Sequence, residues 1–545
     1  MARFPASIFQ TRLFFPLIAG VLIANASPAS DAWAVFNVLD YGATGNGTND
    51  DTSAIQQAVD ACAANGGGQV VLPGGNKFLA GAIMLRSGVD FHLAHGGVLK
   101  GSPRWQDYGE AGALLFAKDA DRVSITGDGT IDGQGRQLAQ DVMRRLQGGE
   151  IRNQTGNTNR PDEEFRPMLV QLRHCRDVQV TGVTLKDSSC WVQNYDRCHN
   201  LVLDHIRVQS TAYWNNDGFD ITDCSKVKIT NCDINSADDG ICLKSNPGGA
   251  GCADVDIANC RIRSSASALK FGTASYGGFR NIHAENLEVF DTLRSAVAIE
   301  TVDGGLIDHV VIENVRATNT GNAVFIRLGR RNVHVPPGIL RNVTIRNLHA
   351  EVPPGVPDAD YEIAGPAVKA PHNLIPCSIT GLPGYPVRGV TLENVEIVFA
   401  GGGTPQRAHV HLAELKTLPE LSGSYPEFSM FGELPAWGFY LRHVAGVAFH
   451  NVRLTLKEPD FRPALVADDV HGLRIQSVNI EPSSGEPVIV LQDSGGARFQ
   501  GVRYPAGIRE KVRLLGNSSA PVESAEISGL SANSTALDST VKRGK

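Results

Sequence analysis

The chain has 545 residues, 42% hydrophobic and 20% charged, with a formal net charge of −7 and no long basic run. That balance excludes nucleic acid as a natural partner. The length suits either several domains or one long repeat array.

At the N-terminus, Arg3 and Arg12 precede an apolar run from Leu13 to Ala24 that ends in the small-x-small site Ala24-Asn25-Ala26. This is the pattern of an export signal over residues 1–26, too short to span a bilayer comfortably. The expected mature protein is secreted or periplasmic, a monomer, and free of the membrane once the signal is removed. Next, Phe36-Asn-Val-Leu-Asp-Tyr-Gly-Ala reads as a strand. Asp50-Asp51-Thr52 is then expected to cap a helix from Ser53 to Ala64, with Ile55, Ala58, Val59 and Cys62 on one face. Such a helix would cover the open apolar end of a stacked array.

After residue 65 helical periodicity is nearly absent and one motif recurs, V-x-I-x-[NG]-[VC]-x-[IVL]. Its first clear copy is Val123-Ser-Ile125, and another is Val178-Gln-Val180-Thr-Gly-Val183-Thr-Leu185. Further copies begin at Leu201, Val227, Val255, Ile282, Val310, Val343, Val390, Val447 and Leu473, with a weaker one at Ala497. Mid-chain steps are 23, 26, 28, 27 and 28 residues. Period-2 alternation around a Gly or Asn is a short strand, a corner and another short strand, since Gly and Asn tolerate left-handed backbone. The period predicts an all-β fold, a right-handed parallel β-helix with a short N-terminal capping helix, spanning residues 34–510 as a single domain. A leucine-rich repeat would show Leu-x-x-Leu-x-Leu, which is missing. Residues 517–545, rich in Ser, Ala and Thr, are expected to be a poorly ordered tail.

Three insertions interrupt the repeat. Residues 135–167 carry Arg144, Arg145, Arg152, Arg160 and Arg166; a second lies between 352 and 386; a third, 415–437, is rich in Pro, Tyr, Phe and Trp. Loops on a solenoid face build binding clefts. The ten cysteines include no zinc-type Cys-x-x-Cys and read as small buried or stacked residues. No Asp-x-Asp-x-Asp-Gly calcium loop is present, and neither a metal nor a cofactor is expected.

The chemistry concentrates in Tyr213-Trp-Asn-Asn-Asp217-Gly-Phe-Asp220 and Ser236-Ala-Asp238-Asp239-Gly-Ile-Cys-Leu-Lys244. Asp217 and Asp238 are 21 residues apart, about one coil, so the three acids are expected to meet on one surface. Paired carboxylates are what glycoside hydrolysis requires. Lys244 and Lys270 are candidate cations either for substrate groups or for neutralising the acids, and Arg294 is a further candidate cation. Trp214 is a candidate sugar-stacking residue, whereas Trp191 is expected in the core and His174, His199, His205 and His283 in structural roles.

On these residues the chain resembles the polygalacturonase family, glycoside hydrolase family 28, whose pectin lyase-like fold is a parallel β-helix. The family carries Asn-x-Asp, here Asn215-Asn216-Asp217, then Asp-Asp one coil later, here Asp238-Asp239. Ile125-Thr-Gly-Asp-Gly-Thr-Ile-Asp-Gly-Gln-Gly135 and Asp187-Ser-Ser-Cys-Trp191 also agree. The resemblance implies an inverting hydrolase with Asp238 as general acid and Asp217 and Asp239 holding the water. Two family elements differ. Ser267 stands where Gly-His-Gly has its histidine, and Ala298-Ile299-Glu300 replaces Arg-Ile-Lys, whose cations grip substrate carboxylates. Rhamnogalacturonan hydrolases of the family also lack that histidine. The expected substrate is therefore an α-linked, uronic-acid-containing pectic polysaccharide or oligosaccharide, met by Asn215, Trp214, Lys244, Lys270, Ser267, Arg294 and Glu300. A calcium-dependent lyase and a non-catalytic glycan-binding β-helix are the alternatives.

Overall fold

The computed structural model describes residues 33–523, except 155, 158–159, 212, 359–373, 407–411 and 482–484. The expected export signal and most of the expected tail lie outside these residues. The repeat residues stack in register. Val178 pairs with Leu201, Leu201 with Val227, Val227 with Val255, Val255 with Ile282 and Ile282 with Val310. The column continues through Val343, Val390 and Val447 to Leu473. The pairing is parallel throughout this series, and the coils wind as a right-handed β-helix. The alternate side chains of each copy point inward and are buried. Each such Val, Leu or Ile contributes about 1.5–3 kcal/mol relative to an exposed one.

The corners are held by asparagine. Asn259, Asn286, Asn314, Asn347, Asn394 and Asn451 all adopt positive φ, between 51° and 56°. The Nδ2 of each donates to Oδ1 of the asparagine one coil earlier, from Asn231 onward, at 2.7–3.4 Å. Asparagine serves here because it tolerates left-handed backbone while its amide carries both a donor and an acceptor.

Helix α1 (Thr52–Ala64) buries Ala54, Ile55, Ala58, Val59 and Cys62 against the first strands. Its capping differs from the expectation. Asp50 Oδ1 accepts from the Thr52 amide at 2.9 Å, so the helix starts one residue early. Asp51 makes no cap bond and instead ties down the preceding loop, accepting from the Thr44 amide and hydroxyl and the Gly45 amide.

Two further differences matter, and the cysteines are as expected. A second helix, α2 (Gly135–Gln147), lies in the first insertion, where no helix was expected. Leu138, Val142 and Leu146 recur at i, i+4 and form its buried face. At the other end the coil continues past residue 510: Val512–Leu515 pairs with Ile489–Gln492, and Val522–Glu523 with Arg498–Gln500. All ten cysteines are buried free thiols, several stacked on equivalent turns, as Cys198 and Cys224 are.

The ladder gives a direct expectation. Asn314→Ala removes two side-chain bonds and places a Cβ-bearing residue without a local partner at φ 55°. It should cost about 2 kcal/mol, and Asn314→Gly about half of that, because glycine keeps the backbone conformation. The denaturant midpoint of unfolding measures both.

Candidate active site

The acids meet because one turn position repeats in successive coils. The Gly218 amide donates to the Asp239 carbonyl at 2.8 Å, the Gly240 amide to Ser267, and the Ala268 amide to Ser295. Asp217, Asp239, Ser267 and Ser295 therefore stack, with Asp238 one residue earlier on its turn. The turns approach so closely that a Cβ at Gly218 would lie 2.6 Å from the Gly240 carbonyl oxygen, and one at Gly240 2.4 Å from Ile262. Ser236 and Ser264 hydroxyls both donate to the Asp238 carbonyl, at 2.8 and 2.7 Å, fixing its backbone.

Oxygens of Asp217, Asp238 and Asp239 lie within 4.8 Å of one another, and each acid has different surroundings. Asp239 Oδ1 accepts from the Ser267 amide at 3.0 Å and Oδ2 from Lys270 Nζ at 2.9 Å. Asp217 Oδ2 accepts from Lys244 Nζ at 3.0 Å, while its Oδ1 is buried with no hydrogen-bond partner. Asp238 touches no cation: its Oδ1 accepts only from the Asp239 amide, at 2.9 Å. Burial, then the charges of Asp217 and Asp239, push the Asp238 carboxyl up to about 7. Burial acts in the same sense on Asp239, but Lys270 and Arg294, with the Ser267 amide, hold it below the usual carboxylate range. The cluster thus combines one protonated acid with a neighbour kept ionised, the division that acid–base hydrolysis needs.

The candidate binding residues fall into two groups. Lys244 and Lys270 were candidates either for substrate groups or for neutralising the acids, and both ammoniums are buried on carboxylates of the cluster. Lys244 contacts Asp217 and, at 2.7 Å, Asp220, with the Trp191 ring centroid 3.8 Å away. Trp191 is accordingly half-buried beside the acids and not in the core. Lys270 Nζ donates to Asp239 and to Tyr425 Oη, the latter at 2.8 Å. Tyr425, 155 residues away in the third insertion, has no local signal in the sequence; only its aromatic-rich loop stood out. Ser267 acts through its amide.

Arg294 and Glu300 have open valences. The Arg294 side chain makes no hydrogen bond among the described residues, its Nε is buried, and it lies beside the Tyr425 ring at 5.8 Å. Glu300 is 1% exposed with Oε2 unpartnered, and burial pushes its carboxyl up to about 8 against the pull of Lys270. Upstream, Trp214 is exposed and packs on Tyr213. Asn215 Oδ1 accepts from Arg166 at 3.0 Å and from Arg160, beside a hollow of about 480 Å³. Asn216 is structural, bonded to Ser210 and the Cys190 carbonyl.

Downstream of Lys270 the outward column changes character. In register it reads Asp220, Cys242, Lys270, Ala298, Phe325 and then, past Ser378, Tyr440 and Val466. The third insertion covers it. Phe428 and Met430 pack on Ala298 and Phe325, and Leu415, Leu434 and Ala436 on Tyr440 and Val466.

A model of glycosyl hydrolases family 28 matches residues 62–327, which hold every acid described above. Over these residues, just under half of the chain, the sequence is similar to glycosyl hydrolases family 28. It is 26% identical over 308 residues to a polygalacturonase of Chamaecyparis obtusa, covering 54% of this chain and 56% of that one. To a probable polygalacturonase of Vitis vinifera it is 26% identical over 402 residues, covering 67% and 74%. The match thus spans little more than half the length of the first relative. In fold, the chain is similar to an exopolygalacturonase from Thermotoga maritima (TM-score 0.52, 22% identity, 67% of this chain and 87% of that one). It is similar also to the family 28 exopolygalacturonase of Yersinia enterocolitica (TM-score 0.51, 17% identity, 90% and 79%).

Asp238 sets an expected pH dependence. A general acid must be protonated, so kcat/KM should fall as pH rises through about 7. Asp238→Asn should lower kcat by about 10³-fold or more. Because the folded value lies above that of an unfolded chain, folding disfavours the ionised form, and the cost grows between about pH 4 and 7. The same variant should therefore melt at a higher temperature than wild type at pH 7, as measured by calorimetry.

Proposed function

We propose that the protein is an exported hydrolase of α-linked, uronic-acid-containing pectic glycans that inverts the anomeric carbon and works from a chain end. The observation that carries the hydrolase reading is the trio Asp217, Asp238 and Asp239, within 4.8 Å of one another yet differently charged. Asp238 protonates the leaving oxygen. Asp217 and Asp239 hold and deprotonate the water, with the unpartnered Asp217 Oδ1 as the receiving atom. The polygalacturonases among the relatives support a pectic substrate, and the Arg3–Ala26 pattern supports export.

Separation alone would argue for retention, since inverting pairs typically stand about 6.5–9.5 Å apart. Inversion is favoured here by charge. Asp217 and Asp239 each bind a buried ammonium, and a carboxylate so neutralised is a poor nucleophile but an adequate water holder. Proton NMR of the first product reads the outcome: the inverted anomer is expected, and a retained one overturns the inverting mechanism. The covered downstream column supports chain-end attack, because among the described residues the third insertion packs over the sheet past Lys270. A digest of homogalacturonan and rhamnogalacturonan should release one small product from the first minutes, with little early fall in viscosity.

Arg294 takes a substrate carboxylate, and Glu300 a sugar hydroxyl. Losing a charge-assisted hydrogen bond of about 1.5–3 kcal/mol, Arg294→Gln should raise KM roughly tenfold or more for a uronate-containing glycan. It should also move the alkaline limb of activity upward, because Arg294 opposes the upward shift of Asp238.

A further inference from the structure

We propose that Lys244, anchored by Asp220 and flanked by Trp191, is a positioning residue for Asp217 and no part of the sugar-binding surface. The proposal rests on the hydrolase reading for the role of Asp217.

Lys244 leaves the strand Ile241–Ser245 next to Thr222, one coil from the strand that carries Asp220. Its ammonium lies 3.0 Å from Asp217 Oδ2, 2.7 Å from Asp220 Oδ1 and 3.8 Å from the indole centroid of Trp191. The side chains of Lys244, Asp217 and Asp220 are 9%, 5% and 0% exposed. The ammonium donates to Asp217, lies in ion-pair contact with Asp220 and faces the indole, so it is enclosed by groups of the chain itself and turned away from a sugar. Atoms of Asp217, Asp220 and Cys242 lie within 4.8 Å of one another, a spacing that suits a cation. Lys244 supplies that cation from within the chain.

Asp220 sharpens the assignment. It is fully buried, neither of its oxygens accepts a hydrogen bond among the described residues, and the ammonium is its one salt-bridge partner there; burial raises its carboxyl against the pull of Lys244. A buried ion pair is a weak way to stabilise a fold, since apolar groups of the same volume do as well or better. The contact does more for geometry: with Oδ2 held on Lys244, the Asp217 carboxylate is fixed in rotation and Oδ1 is left for a ligand. The titratable groups around Asp217 are Asp220, Asp238, Asp239, Cys190, Cys242 and Lys244. Lys244 is the cation in contact with it; Lys270 and Arg294 act on Asp239 and Asp238. Burial works against the Lys244 ammonium, yet Asp217 and Asp220 hold it well above the usual lysine value, so its charge is permanent.

The test uses the full chain and its pectic substrate with Lys244→Met, Lys244→Arg and Asp220→Asn. For Lys244→Met, kcat is expected to fall about 10²-fold with KM near wild type. The acidic limb of kcat/KM should move up, because a positive charge in contact with the acid cluster is removed. Lys244→Arg should restore part of both, and Asp220→Asn should show the same changes in weaker form. A rise in KM with kcat and the acidic limb unchanged would make Lys244 a sugar contact and overturn the proposal. So would a lower melting temperature with a wild-type pH profile, the mark of a purely structural residue. A second measurement needs no glycan: melting temperatures of wild type, Asp217→Asn, Lys244→Met and the double variant. Non-additivity is expected, and additive effects overturn the contact. If wild type cleaves no pectic glycan, the hydrolase reading fails, and the melting cycle still decides whether Lys244 holds Asp217.

Discussion

The backbone hydrogen bonds between successive coils set every functional distance in the molecule. One amide reaching one carbonyl, Gly218 to Asp239 and Gly240 to Ser267, converts a separation of about one coil along the chain into side-by-side contact. Those bonds need turns that nearly touch, hence glycine at 218 and 240. They also need corners that neither slip nor splay, hence the asparagine ladder. A one-residue slip in any coil between would turn alternate side chains to the wrong face and separate Asp217 from Asp239.

Register brings the acids together, and electrostatics then makes them differ. Three ionised carboxylates 4.8 Å apart would repel by about 3 kcal/mol per pair at the effective dielectric of a protein. Two buried lysines relieve that repulsion at Asp217 and Asp239. Asp238, with no cation in contact, relieves it by keeping its proton. The proposed acid and water-holding roles thus follow from where two ammoniums sit, although the three carboxylates are chemically identical.

Much of this was legible in the sequence. Val178, Leu201, Val227 and their successors announce the stacking residues one by one, because a period-2 pattern with a repeat in the twenties has few other realisations. Asp217, Asp238 and Asp239 were legible for the same reason: neighbours across coils are neighbours in a periodic alignment. What escaped lay outside the period. Helix α2 sits in an insertion, where its short Leu138, Val142, Leu146 stripe has no repeat to stand out against. Tyr425 reaches Lys270 from 155 residues away, a contact that only a folded loop creates. The lysines stayed open between substrate and acids because sequence places a charge near a site but does not reveal which partner has already taken it. Trp191 was misread for the same reason: a large apolar ring implies the core until a buried ammonium is found beside it.

The third insertion belongs to a part of the chain far from the acids whose cleft it walls. Residues 415–437 leave and rejoin the solenoid between the strands Val387–Gly401 and Phe439–Glu458, yet Tyr425 stands on Lys270. Inheritance of the reaction and inheritance of the specificity are thereby separated along the chain. Mutations, or whole-loop exchange, can reshape what enters the cleft while the coils that hold the acids keep their register. A lineage built this way can alter what reaches the acids without first disturbing the coils that hold them.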